Sequence, residues 1–160
     1  MEGTRTLYTP EDQAKRLSLT SEQKEVARQI ILSIPGVPSE YLREVAEDII
    51  VALENGNPLN RIISDPEGEI IGFIVCRDLE PHSALVMCLA INQQTGRNLI
   101  QELQAFLEYA KKIGYKALTF EGWNPRLNNI LERRYKFHHY RDNKLGKDKK
   151  YNVGVFAKVL

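Results

Sequence analysis

A short polar loop between two apolar segments is the part of this sequence best suited to hold a phosphate group. The loop follows an apolar stretch at 84–91, and it consists of Gln93, Gln94, Thr95, Gly96, Arg97 and Asn98. Where a strand leads through such a loop into a helix, backbone N–H groups and the helix dipole point at a bound anion. We therefore predict a phosphate site here, with Arg97 supplying a charge-assisted contact. A plain strand-to-helix turn at Gly96 and an exposed first-turn arginine are the alternatives.

Length and composition favour one globular domain over residues 1–160. The chain has 160 residues, of which 42% are hydrophobic and 27% are charged, as in ordinary soluble proteins. No apolar run approaches the roughly 20 residues of a membrane helix, and the first residues lack the apolar region of a secretion signal. These features predict a cytoplasmic protein that has no membrane partner.

The two cysteines, Cys76 and Cys88, both lie in apolar stretches. Buried, reduced thiols are the plain interpretation, and a disulfide or a reactive thiol are the alternatives. The cysteines and the three histidines have no spacing typical of zinc ligands, so we predict no metal. We expect His82, His138 and His139 to face solvent, and a pH-dependent role for them stays open.

Charge is distributed unevenly along the chain, although the net charge is only +1. Residues 1–80 hold 8 Lys and Arg against 15 Asp and Glu, whereas residues 81–160 hold 14 against 6. An acidic side and a basic side would suit a protein that binds a phosphorylated co-substrate and a cationic acceptor. A solvated basic loop and a nucleic-acid contact are the alternatives. The basic residues crowd into 133–150 and comprise Arg133, Arg134, Lys136, Arg141, Lys144, Lys147, Lys149 and Lys150.

Three helices are predicted in the first third of the chain. A short one begins at Thr9-Pro10, and Thr20 with Gln23 forms a capping-box pair ahead of the second. The third has apolar residues at helical spacing from Leu42 to Leu53. Their apolar faces predict packing against a core.

After these helices the apolar pattern changes to that of strands. Segments 59–64 and 69–77 are typical of an antiparallel hairpin, because the residues between them, Asp65-Pro66-Glu67-Gly68, favour a turn. The stretch at 84–91 is apolar throughout, which predicts a strand buried in the middle of the sheet.

The second half of the chain predicts a parallel strand pair and a closing strand. A helical pattern at 99–113 connects the strand at 84–91 to another at 116–121, and such a crossover makes the two strands parallel. Alternating apolar residues at 151–159 predict a last strand. We expect the segment 142–150 before it to be a mobile loop.

This order of elements resembles the GNAT family of N-acetyltransferases over residues 20–160, most clearly at 85–137. That family binds acyl-CoA through an R/Q-x-x-G-x-G/A loop, and Gln93 and Gly96 match it, whereas Asn98 stands where a small residue is usual. The resemblance implies an α/β (α+β) fold with a mixed, mostly antiparallel sheet. It also implies a splayed parallel strand pair and flanking helices.

The resemblance further implies acetyl-CoA as co-substrate, bound where the parallel strands separate. A pantetheine arm would pair with unpaired backbone groups there, and the N–H groups around Leu89 and Ile91 would stabilise the oxyanion of acyl transfer. Asn124 and Asn128, in the helix after the parallel strand, are implied as further contacts.

The catalytic groups that the resemblance implies are a base and an acid. Glu121, at the end of the parallel strand, is the base candidate, with a capping or solvated role as the alternative. The family's acid is a tyrosine, but Glu132 stands at its position, and Tyr135 follows one helical turn later. Tyr135 therefore acts as the acid, or the thiolate leaves unassisted, or the protein does not catalyse. Packing under the sheet is the alternative for Tyr135.

The sequence thus predicts an N-acetyltransferase that moves an acetyl group from acetyl-CoA to a primary amine of a small molecule or protein. A catalytically weak acyl-CoA-binding or protein-interaction module with the same fold is the alternative. Nucleic-acid binding by the basic cluster is the weaker third class. Trp123 forms part of an acceptor pocket or packs locally. Whether the last strands pair across a homodimer stays open.

Overall fold

The computed structural model of this chain describes residues 5–6, 18–92 and 99–160. In these ranges the chain forms four helices and seven strands. The helices are α1 (Ser21–Leu32), α2 (Ser39–Leu53), α3 (Leu99–Lys112) and α4 (Pro125–Arg133). The strands are β1 (Arg5–Thr6), β2 (Arg61–Ser64), β3 (Ile70–Glu80), β4 (Ser83–Ile91), β5 (Ala117–Gly122), β6 (His138–Leu145) and β7 (Tyr151–Val159). The helix predicted at Thr9-Pro10 lies outside the described residues.

One mixed sheet joins the strands in the order β1-β2-β3-β4-β5-β7-β6. Neighbouring strands are antiparallel except β4 and β5, which are parallel because α3 crosses over between them. In the predicted hairpin turn the side chain of Asp65 accepts hydrogen bonds from the backbone of Glu67 and Glu69. These observations confirm the predicted α/β class with a mostly antiparallel sheet and one parallel pair.

Helix ends follow the sequence signals. The Oγ1 atom of Thr20 accepts from the Gln23 N–H at 3.1 Å, and the Gln23 side chain accepts from the Thr20 N–H at 2.9 Å. This reciprocal pair satisfies two donors at the start of α1 and confirms the predicted capping box. Asn124 caps α4 in a similar way, since its Oδ1 atom accepts from the Arg126 N–H at 2.9 Å.

The two faces of the sheet carry separate cores. The core under α1 and α2 takes Phe73 and Val75 from β3, whereas the core under α3 and α4 takes Ile74 and Cys76 from the same strand. Alternation of this kind is expected for a strand covered on both faces. It explains why the central strands lack polar residues along most of their length.

The central strand β4 changes face at Met87. Its pairing with β3 steps from Cys76↔Val86 to Val75↔Cys88, so Met87 is an extra residue and forms a β-bulge. Val86 consequently lies in the core under α3 and α4, and Cys88 lies in the core under α1 and α2. In a regular strand these two side chains would share one face.

Both cysteines are buried and free, which confirms the buried-thiol interpretation. Burial raises the pKa of the Cys76 thiol well above its usual range and raises the pKa of Cys88 to about 12. Both thiols are therefore protonated at neutral pH. Among residues 18–92 and 99–160, no three His, Cys, Asp or Glu side chains meet as metal ligands would. None of the helices seen there combines the length and apolar composition of a membrane span.

The prediction of a mobile loop at 142–150 is wrong for its first half. Strand β6 continues to Leu145 and pairs with β7 from His138↔Ala157 to Leu145↔Tyr151, so only a tight turn at 146–150 joins them. The segment is polar because β6 is an edge strand with mostly exposed side chains, and its backbone hydrogen bonds hold it in the sheet.

A buried ion pair fixes α3 to the sheet. The Nη2 atom of Arg61, on β2, lies 2.9 Å from the Glu102 carboxylate in the first turn of α3. The two side chains are only 4% and 3% exposed, so their charges are shielded from water. The pair therefore positions the start of the helix that follows the predicted phosphate loop.

Candidate functional site

The parallel strands β4 and β5 separate in the middle of the sheet. Their pairing runs from Ser83↔Ala117 to Val86↔Phe120 and ends there in the described part of the chain. Beyond this point β4 continues beside β3, and β5 continues beside β7. The Met87 bulge lies directly after the last shared pair, and bulges bend a strand away from its neighbour. The two strands thus form an open V, the predicted splay.

The backbone of β4 offers donors to this V. The N–H of Asn92 donates to the Ile71 carbonyl oxygen on β3 at 2.6 Å. Because successive N–H groups of a strand point in opposite directions, the N–H of Ala90 is directed at β3 as well. The N–H groups of Leu89 and Ile91 are then directed toward the V. The structure therefore places the two predicted backbone donors at its edge.

Glu121 lies on the opposite arm of the V, one residue past the last β4–β5 pair. Its partly buried carboxylate accepts a hydrogen bond from Asn143 Nδ2 at 3.3 Å. Val155 of β7 pairs directly with Glu121, and its buried side chain shares that face of the sheet. The carboxylate is thus held by a neutral amide on the face that α1 and α2 cover.

Three aromatic rings from distant parts of the sequence meet beside Glu121. Tyr41 of α2 and Trp123, which follows β5, have ring centroids 4.8 Å apart. Tyr151 at the start of β7 contacts both in edge-on orientation, at 5.6 Å from Tyr41 and 6.1 Å from Trp123. We refer to these three residues as the aromatic wall. Each ring is only partly buried, so the wall keeps surface for a ligand.

Tyr41 lies near both arms of the V. Burial, together with the nearby charges of Glu121 and Glu44, raises its pKa to about 12. Cys88 is on β4 beyond the last shared pair, and Glu121 is on β5 beyond it. The Tyr41 hydroxyl has no hydrogen-bond partner in residues 18–92 and 99–160. It therefore stays protonated at neutral pH and is available as a donor.

The β6–β7 turn is attached to the first turns of α2. The Glu40 carboxylate accepts from the Tyr151 hydroxyl at 2.9 Å and from Lys150 Nζ at 3.1 Å. One turn later, the Glu44 carboxylate accepts from the backbone N–H of Lys147 at 2.9 Å. The contacts join the acidic first half of the chain to the basic second half. They explain part of the uneven charge as an internal contact.

Helix α4 covers the end of β5 through Asn128. Its Nδ2 atom donates to the Gly122 carbonyl at 3.4 Å, and a Cβ atom on Gly122 would lie 1.9 Å from Asn128 Oδ1. The Oδ1 atom is buried and accepts no hydrogen bond within the described ranges. Burial of such an acceptor lowers the stability of the folded protein unless a ligand or water donates a hydrogen bond to it. Asn124, also predicted to bind the co-substrate, uses its Oδ1 atom to cap α4.

Tyr135 lies away from Glu121, in the core under α3 and α4, and is only 8% exposed. Its hydroxyl donates to the Ile100 carbonyl in the first turn of α3 at 3.3 Å and accepts from Arg134 Nε at 3.3 Å. Glu132, at the position of the family's tyrosine, is exposed. The structure does not bring Tyr135 together with Glu121.

The predicted phosphate loop lies outside the described residues. Its members are Gln93, Gln94, Thr95, Gly96, Arg97 and Asn98, and their roles stay predictions. The described residues on either side end β4 and begin α3, as the prediction requires.

Sequence reasoning missed Tyr41, Asn143 and Tyr151. A signal for Tyr41 existed, because it precedes the apolar stripe that begins at Leu42 and is therefore off the core face of α2. Tyr151 was expected only as one of the alternating residues of the last strand. Nothing in the sequence pairs Asn143 with Glu121, because 22 residues separate them.

The fold is similar to solved structures of acetyltransferases. A GNAT family acetyltransferase from Elizabethkingia anophelis with acetyl-CoA bound has a TM-score of 0.68 at 13% identity, with 100% of both chains covered. The ribosomal-protein-S18-alanine N-acetyltransferase from Escherichia coli has a TM-score of 0.67 at 13% identity, covering 98% of this chain and 93% of that one. The C-terminal condensation domain of Ebony in complex with beta-alanyl-dopamine has a TM-score of 0.64 at 13% identity, with 100% of both chains covered. No protein-family model matches the sequence, and no curated protein matches it.

Proposed function

We propose that this chain, which has the fold of the GNAT N-acetyltransferases, transfers an acetyl group from acetyl-CoA to a primary amine. The observation that carries the proposal is the open V between β4 and β5, with backbone donors on one arm and the Glu121 carboxylate on the other. A fold alone does not fix a reaction, so the argument depends on these groups. The amine belongs to a small molecule or to a protein.

The described residues fit the co-substrate. The Oδ1 atom of Asn128 is a buried acceptor that lacks a donor in the described ranges, and amide N–H groups of a pantetheine chain are donors. Backbone groups that the separated strands leave unpaired would pair with the amide groups of the pantetheine chain, as an added strand does. The loop at 93–98 would hold the pyrophosphate.

The reaction forms one bond and breaks one. The amine nitrogen attacks the thioester carbonyl carbon, the C–N bond forms, and the C–S bond breaks. One proton leaves the nitrogen and one reaches the sulfur, so the products are an acetamide and free CoA thiol. The protein must therefore stabilise charge on the carbonyl oxygen and take a proton from the amine.

Each of these tasks has a candidate residue in the chain. Leu89 and Ile91 would donate to the carbonyl oxygen as negative charge develops there. Glu121 would take the proton, because it is a carboxylate at the V whose described partner is a neutral amide. Tyr135 is the predicted acid, and to act it would have to give up its hydrogen bond to Ile100. Departure of the thiolate without a protein acid is the simpler route.

A catalytically weak acyl-CoA-binding module is the second candidate. It is favoured by the exposed Glu132 at the position where the family has its acid. It is also favoured by the Tyr135 hydroxyl, which is already bonded within the core. Such a module would bind acetyl-CoA without turning it over at a useful rate.

The experiment that tests the proposal measures binding and turnover separately. Acetyl-CoA is titrated into the protein by calorimetry, and thiol release is then followed with a panel of primary amines. We expect binding that Gly96→Glu and Arg97→Ala weaken by about tenfold or more, since charge-assisted contacts are each worth about 1.5–3 kcal/mol. Arg77→Ala, on the exposed end of β3, is the matched control.

The outcomes separate the candidates. Amine-dependent thiol release supports the acetyltransferase. Binding that the loop variants weaken, without thiol release for any amine, supports the binding module instead. No binding to the parent protein contradicts both.

A further inference from the structure

We propose that the acceptor is a primary amine that carries a single positive charge and an aromatic group. The proposal rests on the acetyl transfer proposed above and narrows its acceptor. It follows from the position of one carboxylate, Glu121, beside the aromatic wall of Tyr41, Trp123 and Tyr151. Each of these four residues is partly buried, so none is fully shielded from a ligand.

The wall is suited to a flat apolar group. Its rings meet at 4.8–6.1 Å with interplanar angles of 37–64°, in the tilted and edge-on arrangements that aromatic groups prefer. A further ring can join such a group by the same edge-to-face contacts. An aliphatic chain on the wall would be stabilised only by the burial of its apolar surface. An aromatic ring would be stabilised by that burial and, in addition, by the edge-to-face contacts.

The charges around the wall select for one positive charge. Three glutamates lie near it, but Glu40 is paired with Lys150 and the Tyr151 hydroxyl, and Glu44 is bonded to the Lys147 backbone. Of the three, Glu44 and Glu121 have neutral donors as partners, but only Glu121 lies on an arm of the V, where the thioester would be attacked. The reacting centre therefore offers one carboxylate to an incoming ammonium group.

The rim of the wall disfavours a second positive charge. Lys150 Nζ lies 5.2 Å from the centroid of the Tyr151 ring, so a lysine already covers one face of that ring. Lys147 is exposed in the same turn. A polyamine or a lysine-rich peptide would place its additional charges against these lysines, and like charges repel at close range.

The only tryptophan of the chain provides a direct measurement. Trp123 belongs to the wall, so its fluorescence should respond when a ligand covers the wall, without any turnover. The probes are 2-phenylethylamine, n-butylamine and putrescine, each added to protein saturated with CoA. Phenylalanyl-glycine amide is a fourth probe, which presents the same group as a peptide amino terminus.

We expect 2-phenylethylamine to bind roughly tenfold more tightly than n-butylamine or putrescine, as one or two aromatic contacts allow. Equal binding of phenylalanyl-glycine amide would identify a peptide as the source of the amine, and weak binding would identify a small molecule. Both results agree with the proposal. Tighter binding of putrescine, or no difference among the first three probes, would overturn it.

Variants show whether the aromatic wall causes the preference for 2-phenylethylamine. The binding of amines to the variants is measured by calorimetry instead of fluorescence. Tyr41→Leu should reduce the preference for 2-phenylethylamine to about twofold or less, because the wall then lacks one of its three rings. Tyr151→Phe keeps the ring and loses only the bond to Glu40, so it should keep the preference. Tyr140→Leu, at an exposed aromatic residue of β6, is the matched control. A preference unchanged by Tyr41→Leu would show that the rings serve only to pack the β6–β7 turn, and would overturn the proposal.

Failure of this inference differs from failure of the proposed function. If acetyl-CoA binds and an aliphatic amine or a polyamine is the preferred acceptor, the transfer reaction stands and only the acceptor class is wrong. If acetyl-CoA does not bind, the proposed function fails, whatever the amine titrations give.

Discussion

Asn143 donates a hydrogen bond to Glu121 across an intervening strand. The Nδ2 atom and the carboxylate oxygen are 3.3 Å apart, although Asn143 is on the edge strand β6, Glu121 is on β5, and β7 lies between them. The contact fixes the candidate base from the side opposite to β4. A neutral donor orients the carboxylate without neutralising its charge, which is what proton abstraction from an ammonium group requires.

Replacing the candidate base should lower turnover without changing the affinity for acetyl-CoA. Glu121→Gln keeps the size of the side chain and its contact with Asn143 but removes the basic oxygen. We expect kcat to fall by about 100-fold, the lower end for a lost general base, with unchanged affinity for acetyl-CoA. Thiol release at saturating acetyl-CoA and calorimetry provide the two values. Glu67→Gln, in the exposed hairpin turn, is the control, and a parent-like kcat for Glu121→Gln would exclude Glu121 as the base.

Asn128 should contribute to co-substrate affinity but little to stability. Asn128→Leu removes a buried oxygen that accepts no hydrogen bond in the described residues, and it also removes the long 3.4 Å bond from Nδ2 to Gly122, so the free energy of unfolding should change little. Acetyl-CoA affinity should fall by about tenfold, because the bound chain loses an acceptor. Urea unfolding and calorimetry measure the two effects. The control is Asn129→Leu, at an exposed neighbouring position on α4, which should have a smaller effect on acetyl-CoA affinity and on the free energy of unfolding. A loss of affinity in Asn129→Leu equal to that in Asn128→Leu would contradict the role given to Asn128.

Gly122 should be required for the contact between α4 and β5. In Gly122→Ala the new Cβ atom would lie 1.9 Å from Asn128 Oδ1, so the Asn128 side chain must move. We expect a loss of about 1–2 kcal/mol in the free energy of unfolding, as for other overpacked sites. The double variant with Asn128→Ala should recover most of it, because the overlapping amide is then absent. Equal losses in the single and double variants would show that the strain lies elsewhere.

The attachment of the β6–β7 turn to α2 should weaken in acid. Hydrogen bonds from Tyr151 and Lys150 lower the pKa of Glu40 below its usual 4.5. Because the folded pKa is the lower one, the stabilisation is complete above about pH 4.5 and is lost as the pH falls through the lowered value. Trp123 fluorescence should report this, since its ring contacts Tyr151.

A matched variant identifies the titrating group. Glu40→Gln should shift or remove the acidic fluorescence transition of Trp123. Glu47→Gln should leave it in place, although the pKa of Glu47 is also lowered, because that carboxylate pairs with Arg28 away from the turn. A transition that Glu40→Gln leaves unchanged would contradict the role given to this contact.

Much of the fold could be predicted because its signals are local. The capping box at Thr20, the turn at 65–68 and the apolar stripe of α2 each depend on neighbouring residues, and each is confirmed. The parallel pair was predictable from one helical crossover. Polar composition gave a wrong prediction only at 142–150, where a mobile loop was expected. Backbone pairing with β7 forms a strand in the first half of this segment, although its side chains are exposed.

The site was less predictable because its contacts are long-range. Tyr41 and Tyr151 are 110 positions apart, and no periodicity joins them. The bulge at Met87 could not be predicted, for another reason. Every residue around it is apolar, so the sequence pattern is the same with or without a change of face. Sequence reasoning therefore located the V through family resemblance, together with Glu121 and Trp123, but not Tyr41, Asn143 or Tyr151.

The extra residue at Met87 also restricts how this chain can evolve. Deleting the extra residue would restore regular alternation, so Cys88 and the side chains after it would keep their faces and their register with β3. Such a deletion would instead remove the bend that directly follows the last β4–β5 pair, so a lineage that keeps the open V is expected to keep the extra residue. The acceptor side can diversify through the turn and α2, while the central strand keeps its bulge.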